Sequence, residues 1–348
     1  MDGAKVVCMM FKDIVYGSVD VDEPVIKELS ESKAMQRIKG ICNQGVPKKY
    51  IADFERDYSR FDHCVGVMLV LRKVGASLEE QVAGLLHDVS HTAFSHLVDY
   101  VIGKGTNEDY QDSIHSRFFG NGTELYEILK SNGMDPEMIS EPKNFGLLER
   151  EQPCLCADRF DNTAREWAES EGTDKAKAFV ESLVSQDGYL AFKSIDTAKN
   201  FAIMHERWVP EIPGNKYGHD MSIRWYIFGS AIKIAMKNGM ASKEDFGLTD
   251  AEFLEKLENT GIEQVDFLLS YLASHKGELQ YEIAEKDPKV LLHYKFRYLD
   301  PFFVKDGKLV RVSEADGSFA ERIERNRAMN KKGIGLASIE GIGLPIRV

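Results

Sequence analysis

Nine histidines occur in the 348 residues, and four of them fall between positions 63 and 96. They sit in two strings, Arg60-Phe61-Asp62-His63-Cys64 and His87-Asp88-Val89-Ser90-His91-Thr92-Ala93-Phe94-Ser95-His96. Imidazole nitrogens mixed with carboxylate oxygens are ordinary ligands of Mn, Fe, Co, Ni and Zn, so the residue types point to a divalent metal. An imidazole, with an unperturbed pKa of about 6.5, also suits proton traffic near neutral pH.

The elements that position these residues can be read around them. Apolar spacing predicts helices over 61–74 and 78–88, separated by Gly75-Ala76-Ser77. So short a link implies an antiparallel helix pair. Counted from Ala76, His63 lies about 20 Å back and His87 about 16 Å forward at roughly 1.5 Å per residue, so the two imidazoles stand nearly level. The flanks are apolar on all sides (Val65, Val67–Leu71, Val82, Ala83, Leu85, Leu86), which buries both helices. A buried Asp88 beside His87 is costly unless it is hydrogen-bonded or metal-bound. A lone pair would read as a satisfied core contact; four histidines with an aspartate on facing helices favour a metal.

Together with the later string Asp158-Arg159-Phe160-Asp161-Asn162, these residues resemble the HD superfamily of metal-dependent phosphohydrolases, most closely its deoxynucleoside triphosphate triphosphohydrolase branch. The pattern is His…His-Asp…Asp, and the resemblance covers about residues 10–235. It implies a mainly α HD-domain helical bundle. It implies one divalent ion (Mn, Fe, Co, Ni, Zn or Mg) held by His63, His87, Asp88 and Asp158. It places Asp88 and His91 in catalysis, His91 as proton donor or water-positioning group. His96, Arg60 and Arg159 become phosphate contacts, and Asn43 and Gln44 candidate base contacts. The implied activity is hydrolysis of a phosphate ester in a small phosphorylated substrate, a nucleotide, by a metal-activated water. Release of triphosphate from a deoxynucleotide, and a non-catalytic nucleotide sensor, are the alternatives.

The chain departs from that branch at three places. Asp109 stands where the branch has a catalytic histidine, with His115 as a substitute. Tyr217-Gly218-His219-Asp220 replaces Tyr-x-His-Lys; Tyr217 and His219 remain candidate substrate contacts, while Asp220 is expected to repel a triphosphate tail. Asn162 occupies a position that is usually tyrosine. A zinc-peptidase reading of His87-Asp88-x-x-His91 needs a glutamate and leaves His63 and Asp158 unexplained.

Elsewhere, Tyr16-Gly17 between loosely alternating residues predicts a β-hairpin over 6–20. Ser77-x-x-Glu80 and Thr249-x-x-Glu252 fit capping boxes, and Asp135-Pro136 a helix start. Further helices are expected over 33–42, 109–131, 153–170, 174–184, 196–209, 221–238 and 262–273. Lys305-Asp306-Gly307-Lys308 marks a hairpin. Residues 289–348 carry 12 Lys+Arg against 7 Asp+Glu, a net of +5 within a chain of net charge −12. That shift divides an HD-type domain, 1–288, from a small β-containing appendage, 289–348, whose Gly-rich end is expected to be mobile. The acidic balance argues against extensive nucleic-acid binding. Five sparse cysteines suggest a reducing, cytoplasmic setting. No leader or membrane span is expected, and a homo-oligomer is left open.

Overall fold

The computed structural model describes residues 9–51, 58–103, 110–212 and 214–348. Asp109 lies outside them. An antiparallel hairpin comes first, β1 (Met9–Asp13) with β2 (Gly17–Val21). Helices α1 (Pro24–Glu31) and α2 (Lys33–Arg37) lead to the central helix α3 (Arg60–Lys73), which is buried from His63 to Leu71. Ser59 starts α3 by accepting from the Asp62 amide, while the Asp62 carboxylate accepts from the Ser59 amide. α4 (Leu78–Leu86) folds back along α3, as the short link requires. Ser77 caps it, but the Glu80 carboxylate does not reach back; it accepts from the amides of Leu147 and Leu148 and ties down a loop instead.

α5 (Leu97–Val101), α6 (Tyr110–His115), α7 (Glu124–Ser131) and α8 (Pro136–Ile139) follow. The single helix expected over 109–131 is thus broken. Gly120-Asn121-Gly122 interrupts it, with Gly122 at φ +84°, and Thr123 caps a fresh start. α9 (Ala157–Glu171) crosses α3. α10 (Thr173–Ser182), α11 (Ile195–His205), α12 (Lys216–Lys237), α13 (Asp250–Glu258) and α14 (Glu263–Ser274) complete the bundle. Thr249 and Glu252 form the expected reciprocal cap on α13.

Two small sheets complete the bundle. Strands β3 (Leu183–Gln186) and β4 (Tyr189–Phe192) form a hairpin, and β4 pairs in parallel with β7 (Phe302–Lys305), which turns at Asp306-Gly307 into β8 (Lys308–Arg311). After α15 (Val312–Ala315) and α16 (Gly317–Lys332), β9 (Ile334–Ile339) enters between β5 (Tyr281–Ile283) and β6 (Val290–Leu292). The Gly-rich end expected to be mobile is therefore a central strand, because Ile334, Leu336 and Ile339 all bury. Residues 289–348 share both sheets with earlier segments, at 183–192 and 281–283.

Two apolar cores result. One surrounds α3, α4 and α9; the other joins α12, α13 and α14 to residues 93–101 and 46–51. The histidine-rich loop 87–96 runs between them.

Candidate metal centre

His63 on α3 and His87 at the end of α4 face each other with ring centroids 5.1 Å apart. Ligand atoms of His63, His87 and Asp88 all lie within 4.8 Å of one another. Asp158, in the first turn of α9, brings Oδ1 to 3.0 Å from His63 Nε2 and 3.8 Å from His87 Nε2. Asp88 Oδ1 is 3.6 Å from His87 Nε2, and its Oδ2 is 3.8 Å from His63 Nε2.

The tautomers are set from outside. His63 Nδ1 lies 2.8 Å from Asp161 Oδ2, which only accepts, so Nδ1 carries a proton and Nε2, 3.0 Å from Asp158 Oδ1, is the nitrogen that a cation would claim. His87 Nδ1 donates to the Gly84 carbonyl at 2.8 Å, leaving its Nε2 buried with no hydrogen-bond partner among the described residues. Two imidazole lone pairs and two carboxylates converging in a buried space are a donor set that fits one divalent cation. The electrostatics agree. Burial opposes charge on both histidines, yet hydrogen bonds to Asp158 and Asp161 raise the pKa of His63, and Asp88 with Asp158 raises that of His87. Burial likewise opposes charge on Asp88, but His91, His87 and Arg60 outweigh it and hold its carboxyl well below the usual range. A pocket that draws protons onto two imidazoles draws a metal cation in their place.

Asp161 is fully buried and anchors the centre. It receives His63 Nδ1, the Tyr16 hydroxyl at 2.8 Å and the Arg165 guanidinium, which also reaches Asp13 at 2.8 Å. Asp161 and Arg165 stand at i, i+4 on α9 and pair at 3.0 Å, and the same carboxylate also orients His63. Gly66 permits this arrangement: a Cβ there would lie 2.0 Å from Asp161 Oδ1 and 2.2 Å from Arg165 Nη2.

The loop 87–96 is not helical, so His87 and His91 do not share a helix face and the zinc-peptidase geometry is absent. Arg37 donates to the carbonyls of Val89 and His91, and Asp250 accepts from the amides of Phe94 and Cys42. These contacts hold Phe94 and Ser95 at φ 61° and 51°. Ser95 Oγ in turn accepts from Arg60 Nε at 3.0 Å, and Arg60 Nη1 donates to Asp88 Oδ2 at 2.7 Å. His91 is buried, 3.4 Å from Asp88 Oδ1, and burial followed by the Arg60 charge pushes its pKa well below the ordinary value. His96 packs edge-on to His91.

His87, Asp88 and Asp158 open onto a cavity of ≈ 1310 Å³ that also meets Arg60, His96, Asn43, Gln44, Arg159 and Tyr217. This exceeds the roughly 300–1,000 Å³ of ordinary small-molecule clefts. His219 does not line it and lies beside Tyr281 instead. Asp220 is also outside, paired to Arg224 at 2.5 Å, so it does not oppose a substrate as expected from the sequence. Gln44 is engaged by Glu166, Tyr217 and Trp225, and Arg159 by Glu149 and the carbonyls of Arg150 and Cys154. Sequence reading missed Arg207, Lys295, Arg297 and His205 on the cavity wall; they lie far from the motif, on α11, the turn after it and the run after β6. Seven Lys and Arg against six Asp and Glu line the cavity, whereas the whole chain is net −12, so the cavity suits an anion.

His115 lines this cavity too, its Nδ1 2.9 Å from Ser90 Oγ, and burial pushes its pKa down to about 4. The unfolded chain takes up that proton at about pH 6.5. Stability is therefore complete above pH 6.5 and falls as the pH drops from 6.5 toward 4. His115→Gln is expected to remove about 2 kcal/mol of the stability lost between pH 7 and 5, by urea unfolding at both pH values.

Residues 60–148 match the HD domain family. The chain belongs to the HD superfamily of metal-dependent phosphohydrolases. A second level of likeness is more particular. The Bacillus subtilis protein YdhJ is 33% identical over 338 residues, covering 94% of this chain and 98% of its own. The metal-dependent phosphohydrolase cns2 of Cordyceps militaris is 36% identical over 201 residues, covering 57% of this chain and 55% of its own. In structure, a phosphohydrolase from Bacteroides thetaiotaomicron superposes with a TM-score of 0.62 at 16% identity, over 89% of this chain and 94% of that one, which speaks to the fold. No helix among the described residues is long and apolar enough to cross a membrane.

Proposed function

We propose that this protein cleaves a phosphate ester in a small phosphorylated substrate, a nucleotide, at a centre formed by His63, His87, Asp88 and Asp158. The observation that carries the reading is the buried, unpartnered His87 Nε2 facing His63, Asp88 and Asp158 at the floor of an anion-suited cavity. When bound there, a divalent ion supplies Lewis acidity toward a phosphoryl oxygen and a water acidified toward neutral pH. The chain's own residues do the rest. Asp161 and the Gly84 carbonyl hold the two imidazoles in their ligand tautomers. Arg60 fixes Asp88 and presents positive charge at the cavity, where it neutralises an incoming phosphate. His91, kept neutral beside Asp88, is placed to orient the nucleophile or take up a proton from it. Asp109 keeps the role of general acid as a candidate from sequence alone.

The basic wall of Arg207, Lys295 and Arg297 favours substrates with more than one negative charge, which keeps triphosphate release as the second reading. Chromatography of products from a nucleotide panel with added Mn²⁺ tests both. Inorganic phosphate with nucleoside supports monoester hydrolysis, and triphosphate with nucleoside supports the second reading. A panel returned intact contradicts the proposal and leaves the nucleotide-sensor alternative.

A further inference from the structure

His205 closes α11 with its ring on the cavity wall, 5% exposed, and it belongs to none of the motifs above. Its Nδ1 lies 2.8 Å from the hydroxyl of Thr163, itself fully buried on α9. Thr163 Oγ1 has no other hydrogen-bond partner among the described residues, so the arrangement that leaves the fewest buried groups unpaired directs its proton at Nδ1. Nε2 on the opposite side of the ring then carries the hydrogen. That Nε2 is buried and without a partner among the described residues. A buried donor left unmade is costly, so a fold that keeps one beside a cavity implies a ligand that completes it. The charges around it identify the ligand's sign. Arg297 and Arg159 act on the ring electrostatically, each more strongly than the opposing carboxylate of Asp158, and Arg207 follows two residues on, stacked 3.9 Å over Tyr217.

Building on the phosphohydrolase reading, we propose that His205 is a substrate-binding residue whose Nε2–H donates to a phosphoryl oxygen of the substrate. The ring is uncharged in that role. Burial, with Arg297 and Arg159 next, pushes its pKa down to about 3, so it adds a directional hydrogen bond where the arginines add charge. His115, held by Ser90 in the same way and likewise unpartnered at Nε2, shows the same construction on the Asp88 side of the cavity.

Two substitutions separate a ligand contact from a structural one. Asparagine at 205 keeps an amide near the Nδ1 position and loses the reach of Nε2; glutamine does the reverse. The probe is inorganic phosphate, titrated calorimetrically into the Mn²⁺-loaded full chain. The expected result is that His205→Asn weakens phosphate binding about 10- to 100-fold while His205→Gln stays within about 3-fold of the wild type. Equal affinity in His205→Asn and wild type overturns the inference, as does a glutamine variant weakened where the asparagine variant is not. Should either variant fail to fold, the imidazole ¹⁵N resonances of wild-type His205 serve instead. Phosphate is expected to shift Nε2, and an unmoved Nε2 at saturating phosphate overturns the assignment. Turnover of the nucleotide panel keeps the two failures apart. If the wild type hydrolyses phosphoesters but the variants bind phosphate alike, only the role of His205 falls. If the wild type neither hydrolyses nor binds phosphate, the reading of the whole site falls with it.

Discussion

Asp88→Ala is expected to lose both bound metal and turnover, the latter by about 1,000-fold or more, while His91→Ala retains the metal and loses roughly 10²–10⁴-fold in rate. The two residues are three apart and both buried, so a merely structural account predicts similar effects. Their partners differ. Asp88 faces His63 and His87 Nε2 and carries the Arg60 guanidinium, so its removal deletes a ligand oxygen and leaves a buried cation uncompensated. Both nitrogens of His91 are free of hydrogen-bond partners among the described residues, and the backbone around it is held by Arg37 and Asp250 rather than by its ring. Metal content by elemental analysis and phosphate release at saturating Mn²⁺ check the pair. Equal metal loss in both variants refutes the division of labour.

Gly66→Ala is expected to destabilise the fold by about 3 kcal/mol and to weaken metal binding 10- to 100-fold, although residue 66 is not in the ligand set. The added methyl would meet Asp161 Oδ1 at 2.0 Å and Arg165 Nη2 at 2.2 Å, and neither can retreat. Asp161 is held by His63, Tyr16 and Arg165, and Arg165 by Asp13, all within the buried contact of α3 with α9. Either α9 moves outward, taking Asp158 with it, or Asp161 releases His63. Both results disturb the centre. Urea unfolding gives the stability change and competition with a chelator gives the affinity change. A normal metal affinity with lowered stability contradicts this account of how Asp161 orients His63.

Much of this arrangement is legible in the sequence, because it depends on local counting. The level placement of His63 and His87 follows from residues on either side of one short turn, and the fold keeps them 5.1 Å apart. Asp161 and Arg165 declare themselves by i, i+4 spacing. What spacing does not show is that the same carboxylate reaches His63 98 positions away, which depends on α9 crossing α3 at Gly66. Asp220 was misplaced for a related reason. Arg224 sits one turn on and claims it, and an alignment of motifs passes over that neighbour. The β3–β4 hairpin carries an overlooked local signal, Asp187-Gly188 at φ 52° and 75° between two apolar runs. β9 lacks one: its apolar residues read as a frayed end until β5 and β6, some 40 to 60 positions earlier, supply the partners. His205 is the extreme case, since a single histidine at the end of a helix carries no motif and gains meaning only from the cavity it borders.

The central claim is that one divalent ion bound by His63, His87, Asp88 and Asp158 supports phosphoester hydrolysis. It is tested most directly by measuring Mn²⁺ stoichiometry and phosphate release together, in the wild type and in the His87→Ala, Asp88→Ala double variant. The account predicts one ion per chain and measurable release for the wild type, with neither in the folded double variant. Release by the double variant equal to that of the wild type would contradict it.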